Sequence, residues 1–164
     1  MLLSLFNELS AAEAEQHIRP CVDIDPWVAA VVAGRPYTSV EAAVAAANAA
    51  VAAWTAADLE QALAQHPRIG EHAAGASQEA QFSRREQEGT GINSVTASQL
   101  LAGNRQYEEQ FGRVFLIRAA GRSAADILAE LQRRLTNTPE AETAEVTREL
   151  GQIAALRLEG LLEP

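Results

Sequence analysis

Apolar positions recur at three- and four-residue intervals along most of the chain, the period that lines up side chains on one face of an α-helix. Helix punctuation accompanies them. Ser10 and Glu13 have capping-box spacing, in which a hydroxyl and a carboxylate satisfy free N–H groups of a first turn. Asp25-Pro26 reads as an N-cap followed by proline at the first helical position, with Gly34 as the stop. Thr38 and Glu41 repeat the capping-box spacing before an Ala/Val-rich stretch that runs to Trp54. Thr55 and Asp58 open a further helix, which Pro67 ends. Gly70–Ala76 reads as a loop, Ser77–Gln87 as a helix, and Gly89-Thr90-Gly91 as a break. Ser94–Phe111 reads as a long helix. Its stripe of Leu100, Asn104, Tyr107 and Phe111 is more apolar than the stripe of Val95, Ser98, Leu101, Arg105 and Glu108. Val114–Ile117 is a short apolar run with no second strand to pair with, so it reads as an extended connector. Ser123 and Asp126 cap a helix bearing Ile127, Leu128, Leu131 and Leu135, and Thr138-Pro139 opens a last helix towards Leu162. The pattern predicts an all-α fold: a single-domain, compact multi-helix bundle over residues 1–164.

Composition sharpens this picture. A chain of 164 residues buries roughly two-thirds of its unfolded surface and needs no metal or disulfide staple. Hydrophobic residues make up 48% but aromatics only 5%, so the core must come from Ala, Val, Leu and Ile. The 34 alanines favour helix. All 13 basic residues are arginine. The absence of lysine excludes Schiff-base chemistry, a lysine general base and a phosphate loop ending in Lys. A formal net charge of -9 without any basic run argues against a nucleic-acid partner. Cys21, the one cysteine, excludes an internal disulfide or a zinc ribbon and reads as a buried hydrophobe. The first residues lack a positive n-region and a cleavage-like site, and the last four, LLEP, are not a peroxisomal address. No apolar run approaches the ~20 residues needed to cross a bilayer. These features together lead to the expectation of a soluble, cytoplasmic protein with no membrane partner.

Few residues can carry chemistry. His17 reads as a surface or capping residue and His72 as a solvated loop residue. His66 stands in His66-Pro67-Arg68-Ile69-Gly70, where proline fixes the chain direction at a helix exit. By spacing it is either a structural cap or a histidine held in place for proton transfer. His66, Glu71 and His72 form a weak metal set, with no HxxxH pair on a helix, and the expectation is that no metal is bound. Ser83, Glu86 and Gln87 share one helical face at i, i+3 and i+4. They form either a solvated face or a grip for a nitrogen-rich polar ligand, in which the carboxylate accepts N–H bonds and the amide both donates and accepts. Arg157 lies on the apolar stripe of Val146, Leu150, Ile153 and Leu161. A guanidinium there must be paired, face a cavity as an anion clamp, or snorkel out along its stem.

Several short motifs, in this order, resemble the 2-oxo-4-hydroxy-4-carboxy-5-ureidoimidazoline (OHCU) decarboxylase family. They are RP.TS at residues 35–39, HPRIG at 66–70, SRREQEGTGI at 83–92, N..Y...FG at 104–112, RLTN at 134–137 and EL..I...RL at 149–158. The resemblance covers essentially the whole chain, and HPRIG followed by S..EQ.G.G is its most specific part. One departure is visible: Val114 precedes Phe115 where the family usually has proline.

The resemblance implies an all-helical enzyme that uses no cofactor and converts OHCU to (S)-allantoin and carbon dioxide, the last step from urate to allantoin. It suggests a homodimer. It implies catalytic roles for His66 in proton transfer, for Glu86 in accepting hydrogen bonds from substrate N–H groups, and for Arg157 in binding a carboxylate or carbonyl oxygen. Ser83 and Gln87 would complete the polar grip, and Pro67, the backbone at Leu116 and Ile117, and Trp27 would form the pocket wall. Two other classes compete with this one. A helical interaction module without chemistry would rest on the alanine-rich helices and acidic surface, and a metal-dependent hydrolase would rest on the histidines.

Overall fold

The computed structural model describes residues 1–64, 66, 69, 81–82 and 94–164. Among these residues the fold is all-α, with eight α-helices, two 3-10 turns and no strand. The helices are α1 (Leu3–Glu8), α2 (Ala11–Ile18), α3 (Asp25–Ala33), α4 (Val40–Ala50), α5 (Ala56–Leu63), α6 (Ser94–Phe111), α7 (Ala124–Arg134) and α8 (Pro139–Leu161). The described chain forms two compact units. One comprises Met1–Ala62 with Gly151–Pro164, the other Leu63–Leu150, and α8 contributes to both. No single helix among the described residues is long and apolar enough to cross a membrane.

Local chemistry starts several of these helices where the sequence says it should. Ser10 and Glu13 form a reciprocal capping box at α2, and Ser123 and Asp126 form another at α7. Thr55 and Asp58 exchange the same bonds before α5, with Thr55 N–H donating to Asp58 Oδ2 at 2.7 Å and Asp58 N–H donating to Thr55 Oγ1 at 3.3 Å. Two caps differ from expectation. At α4 the cap is Ser39 rather than Thr38, because it is the Ser39 hydroxyl that accepts the Ala42 N–H, at 3.2 Å. At α3 the cap position is Ile24, without a side-chain bond, and Asp25 is already helical. The Asp25 carboxylate is taken by Arg19, whose Nη1 lies 2.7 Å from Oδ1.

In the first unit, Phe6, Ile18, Trp27, Val31 and Leu158 form a core with no measurable exposure. Arg35, from the RP.TS motif, ties this unit together. Its Nη1 donates to the carbonyls of Phe6 at 2.6 Å and Leu9 at 2.9 Å, and its Nε to that of Val32 at 3.1 Å. In the second unit the expected stripe of α6 is the buried one: Leu100, Asn104 and Tyr107 are buried, whereas Val95 and Leu101 are exposed. Tyr107 packs edge-on against Phe115 with ring centroids 5.2 Å apart. Gly103 lets α7 come close, since a Cβ there would lie 2.5 Å from Leu131 Cδ2. Residues 114–118 form a connector with neither helix nor strand, with Phe115, Leu116 and Ile117 buried.

Candidate active site

The candidate residues divide between the two units. His66, Leu116 and Ile117 belong to the second, and Trp27 and Arg157 to the first. Pro67, Ser83, Glu86 and Gln87 lie outside the described residues, as do Glu71 and His72 of the weak metal set.

His66 is half-buried just beyond α5, and its N–H donates to the Leu63 carbonyl at 3.1 Å, which continues the helical turn past the last helical residue. The chain is caught again three residues on. Asn104, buried on α6, donates through Nδ2 to the Ile69 carbonyl at 3.1 Å. Its Oδ1 has no hydrogen-bond partner among the described residues. The segment bearing His66 is thus held before the histidine by helix α5 and after it by a buried amide.

Arg157 is only 3% exposed, which excludes the snorkelling arrangement. Its Nη1 donates to the main-chain carbonyl of Cys21 at 3.4 Å, a long hydrogen bond. Burial pushes the Cys21 thiol up to about 12, and the nearby Arg157 cation opposes that shift. Cys21 is therefore the buried hydrophobe expected. Trp27 has no exposed surface, and its indole N–H donates to the Ala47 carbonyl at 2.9 Å. Its polar group is already engaged within the protein.

The connector at Leu116 and Ile117 is held by a polar network that the sequence reading did not single out. Arg134, fully buried, donates through Nη1 to the Leu116 carbonyl at 2.7 Å and through Nε to Glu142 Oε1 at 2.8 Å. Tyr107 donates its hydroxyl to the same carboxylate, and Asn137 Nδ2 donates to Oε2 at 2.8 Å. Burial, then the bond to Glu142, push the Tyr107 phenol well above its ordinary value. Burial by itself would lower Arg134, but Glu142 and Tyr107 together outweigh it and hold the guanidinium charged. On the other side of the connector, buried Glu149 accepts the Arg118 N–H at 2.8 Å and pairs with Arg122 at 3.3 Å. A signal for these residues was present. Arg134 falls on the stripe of Ile127 and Leu131, and Glu142 and Glu149 fall on that of Val146 and Leu150. Like Arg157, each is a charge on an apolar stripe and needs a partner there.

The motifs of the resemblance thus have structural counterparts: RLTN supplies Arg134 and Asn137, and EL..I...RL supplies Glu149 and Arg157. A comparison of the sequence with protein families matches residues 7–159 to the OHCU decarboxylase model. The chain belongs to the OHCU decarboxylase family.

Known proteins resemble it along most of its length. A 2-oxo-4-hydroxy-4-carboxy-5-ureidoimidazoline decarboxylase of Amia calva is 29% identical over 161 residues, 96% of this chain and 92% of that protein. A uric acid degradation bifunctional protein of Bacillus sp. (strain TB-90) is 28% identical over 97% of this chain, which spans only 32% of that relative's length. Among solved structures, an OHCU decarboxylase crystallised in the presence of (S)-allantoin superposes with a TM-score of 0.68 at 22% identity, over 86% of this chain and 93% of that one. An (S)-allantoin synthase gives a TM-score of 0.73 at 17% identity, over 99% of this chain and 54% of that one. These two likenesses establish the shared fold.

Proposed function

We propose that this chain decarboxylates OHCU to (S)-allantoin and carbon dioxide, the last step from urate to allantoin, as a single cytoplasmic domain working without a cofactor. The observation that carries this reading is the family match over residues 7–159. The chemistry needs no external electron sink. The carboxylate leaves a ring carbon that also bears a hydroxyl, and the neighbouring ureido-bearing carbon is double-bonded to nitrogen. As carbon dioxide departs, the electron pair of the broken bond forms a double bond between the two carbons. The C=N pair moves onto nitrogen, which takes a proton. The resulting enol loses its hydroxyl proton and gains one at the ureido-bearing carbon. The face that receives this proton sets the stereochemistry.

In this reading His66 is the proton-transfer group, polarising the hydroxyl and helping deliver the later proton. Glu86 accepts hydrogen bonds from ring or ureido N–H groups, and Ser83 and Gln87 complete the grip. Arg157 binds a carboxylate or carbonyl oxygen. A clamp on the departing carboxylate also stabilises the charged ground state, so Arg157 raises the rate only by interactions that strengthen in the transition state. Pro67 and the backbone at Leu116 and Ile117 form the wall; Trp27, fully buried, offers no surface for it.

The test is to generate the unstable substrate in situ with urate oxidase and hydroxyisourate hydrolase, add the protein, and follow circular dichroism. Accelerated appearance of one allantoin enantiomer is expected. A trace identical to the protein-free control, from folded protein, would overturn the proposal.

A further inference from the structure

We infer that Arg134, with Glu142, is a positioning residue for the proposed reaction: it holds the Leu116 carbonyl so that the Leu116–Ile117 backbone meets the substrate in one fixed setting. The inference rests on the reading in which that backbone lines the substrate site.

Residues 114–118 have no helix or sheet to hold them. Val114, standing where the family usually has proline, does not lock its own φ as a ring would. What holds the connector is charge. The Arg134 guanidinium stands 4.7 Å from the Phe115 ring centroid, a cation–π distance, and donates to the next residue's carbonyl at 2.7 Å. Two residues on, Glu149 accepts the Arg118 N–H at 2.8 Å. Leu116 and Ile117 are buried, at 6% and 4% exposure. In the proposed site this stretch meets the substrate through its main chain, and the placement of those groups follows from the two anchored bonds.

Arg134 can do this because its fork serves two directions at once. Nε reaches Glu142 while Nη1 reaches Leu116. Desolvating two charges is a poor route to stability alone, since well-packed apolar residues of similar volume commonly serve as well or better. A fixed donor aimed at one carbonyl is something apolar residues do not supply.

The experiment compares the wild type with two variants in the in-situ assay. Arg134→Met combined with Glu142→Gln removes both charges together and leaves the Tyr107 hydroxyl an acceptor. Arg134→Lys keeps the charge but loses the fork. The double variant is expected to melt cooperatively and to show KM raised about tenfold, the scale of one lost hydrogen bond, with kcat much less affected. Arg134→Lys should fall between it and the wild type. A folded double variant with wild-type KM overturns the inference. If the double variant does not fold, Arg134→Lys decides: folded with raised KM supports the inference, and folded with wild-type KM overturns it. Failure of that variant to fold also overturns it, because the pair would then serve the fold itself. An inactive wild type would instead sink the proposed function.

Discussion

The Arg157 guanidinium reaches the main-chain carbonyl of Cys21, 136 positions away in the chain, at 3.4 Å. A guanidinium presents its donors in a rigid planar fork, the geometry that the proposed carboxylate or carbonyl contact calls for and that an ammonium lacks. Arg157→Lys should therefore lower kcat/KM by about 10- to 100-fold, the scale of a lost hydrogen bond to a charged group. Steady-state kinetics in the in-situ assay, with a thermal melt as control, checks this. Full activity would reduce the requirement to positive charge alone.

His66 is held on both sides, by the Leu63 carbonyl before it and through Ile69 after it. Such fixation suits a group that must stand beside a reacting hydroxyl. His66→Ala should cut kcat by about 10²-fold or more, the usual scale for lost acid–base catalysis. Turnover near that of the wild type would remove the histidine from the mechanism.

The Cys21 thiol, raised to about 12 by burial, stays protonated through the neutral range. The thiolate is the reactive form. Iodoacetamide at pH 8 should leave the folded protein unmodified and label it fully in denaturant, as read by intact mass. Rapid labelling of the folded chain would show that the site opens readily.

Gly103 faces Leu131, which is fully buried in the core of the second unit. In an exposed helix Gly→Ala gains about 1 kcal/mol. Here the added methyl group would meet Leu131 Cδ2 at 2.5 Å. Overpacking of this kind typically costs about 1–3 kcal/mol. Gly103→Ala should lower the urea midpoint. A raised midpoint would mean that Leu131 swings aside at no cost.

Hydrogen bonds from the Ser123 hydroxyl, then from its N–H, hold the Asp126 carboxyl below the usual range. A depressed folded value stabilises above the unfolded pKa of about 3.9, and the contribution is lost as pH falls through the folded value. Asp126→Ala should therefore lower Tm at pH 7, with the gap to the wild type narrowing steadily below about pH 3.9. Thermal melts from pH 7 to pH 2 test this. A gap independent of pH would assign the effect to something other than the carboxylate.

The all-α class, and the ends of most helices, were legible in the sequence because their causes are local. The Ser10–Glu13, Thr55–Asp58 and Ser123–Asp126 pairs satisfy backbone groups within three residues of themselves. The choice of buried face on α6 follows from a 3.6-residue period. Of the candidate site, the residue types at His66, Glu86 and Arg157 were legible together with the motifs around them. Even a local signal failed where a neighbour competed for it: Arg19 claims the Asp25 carboxylate, and α3 starts without a side-chain cap. The partners of the buried charges were out of reach because they lie far along the chain. Arg134 is satisfied by a carbonyl 18 residues back, and Arg157 reaches one 136 residues away. A charge on an apolar stripe announces that it must be compensated, because leaving it bare in the interior costs too much. The tertiary structure alone decides which group compensates it, since the chain must fold before that group is near.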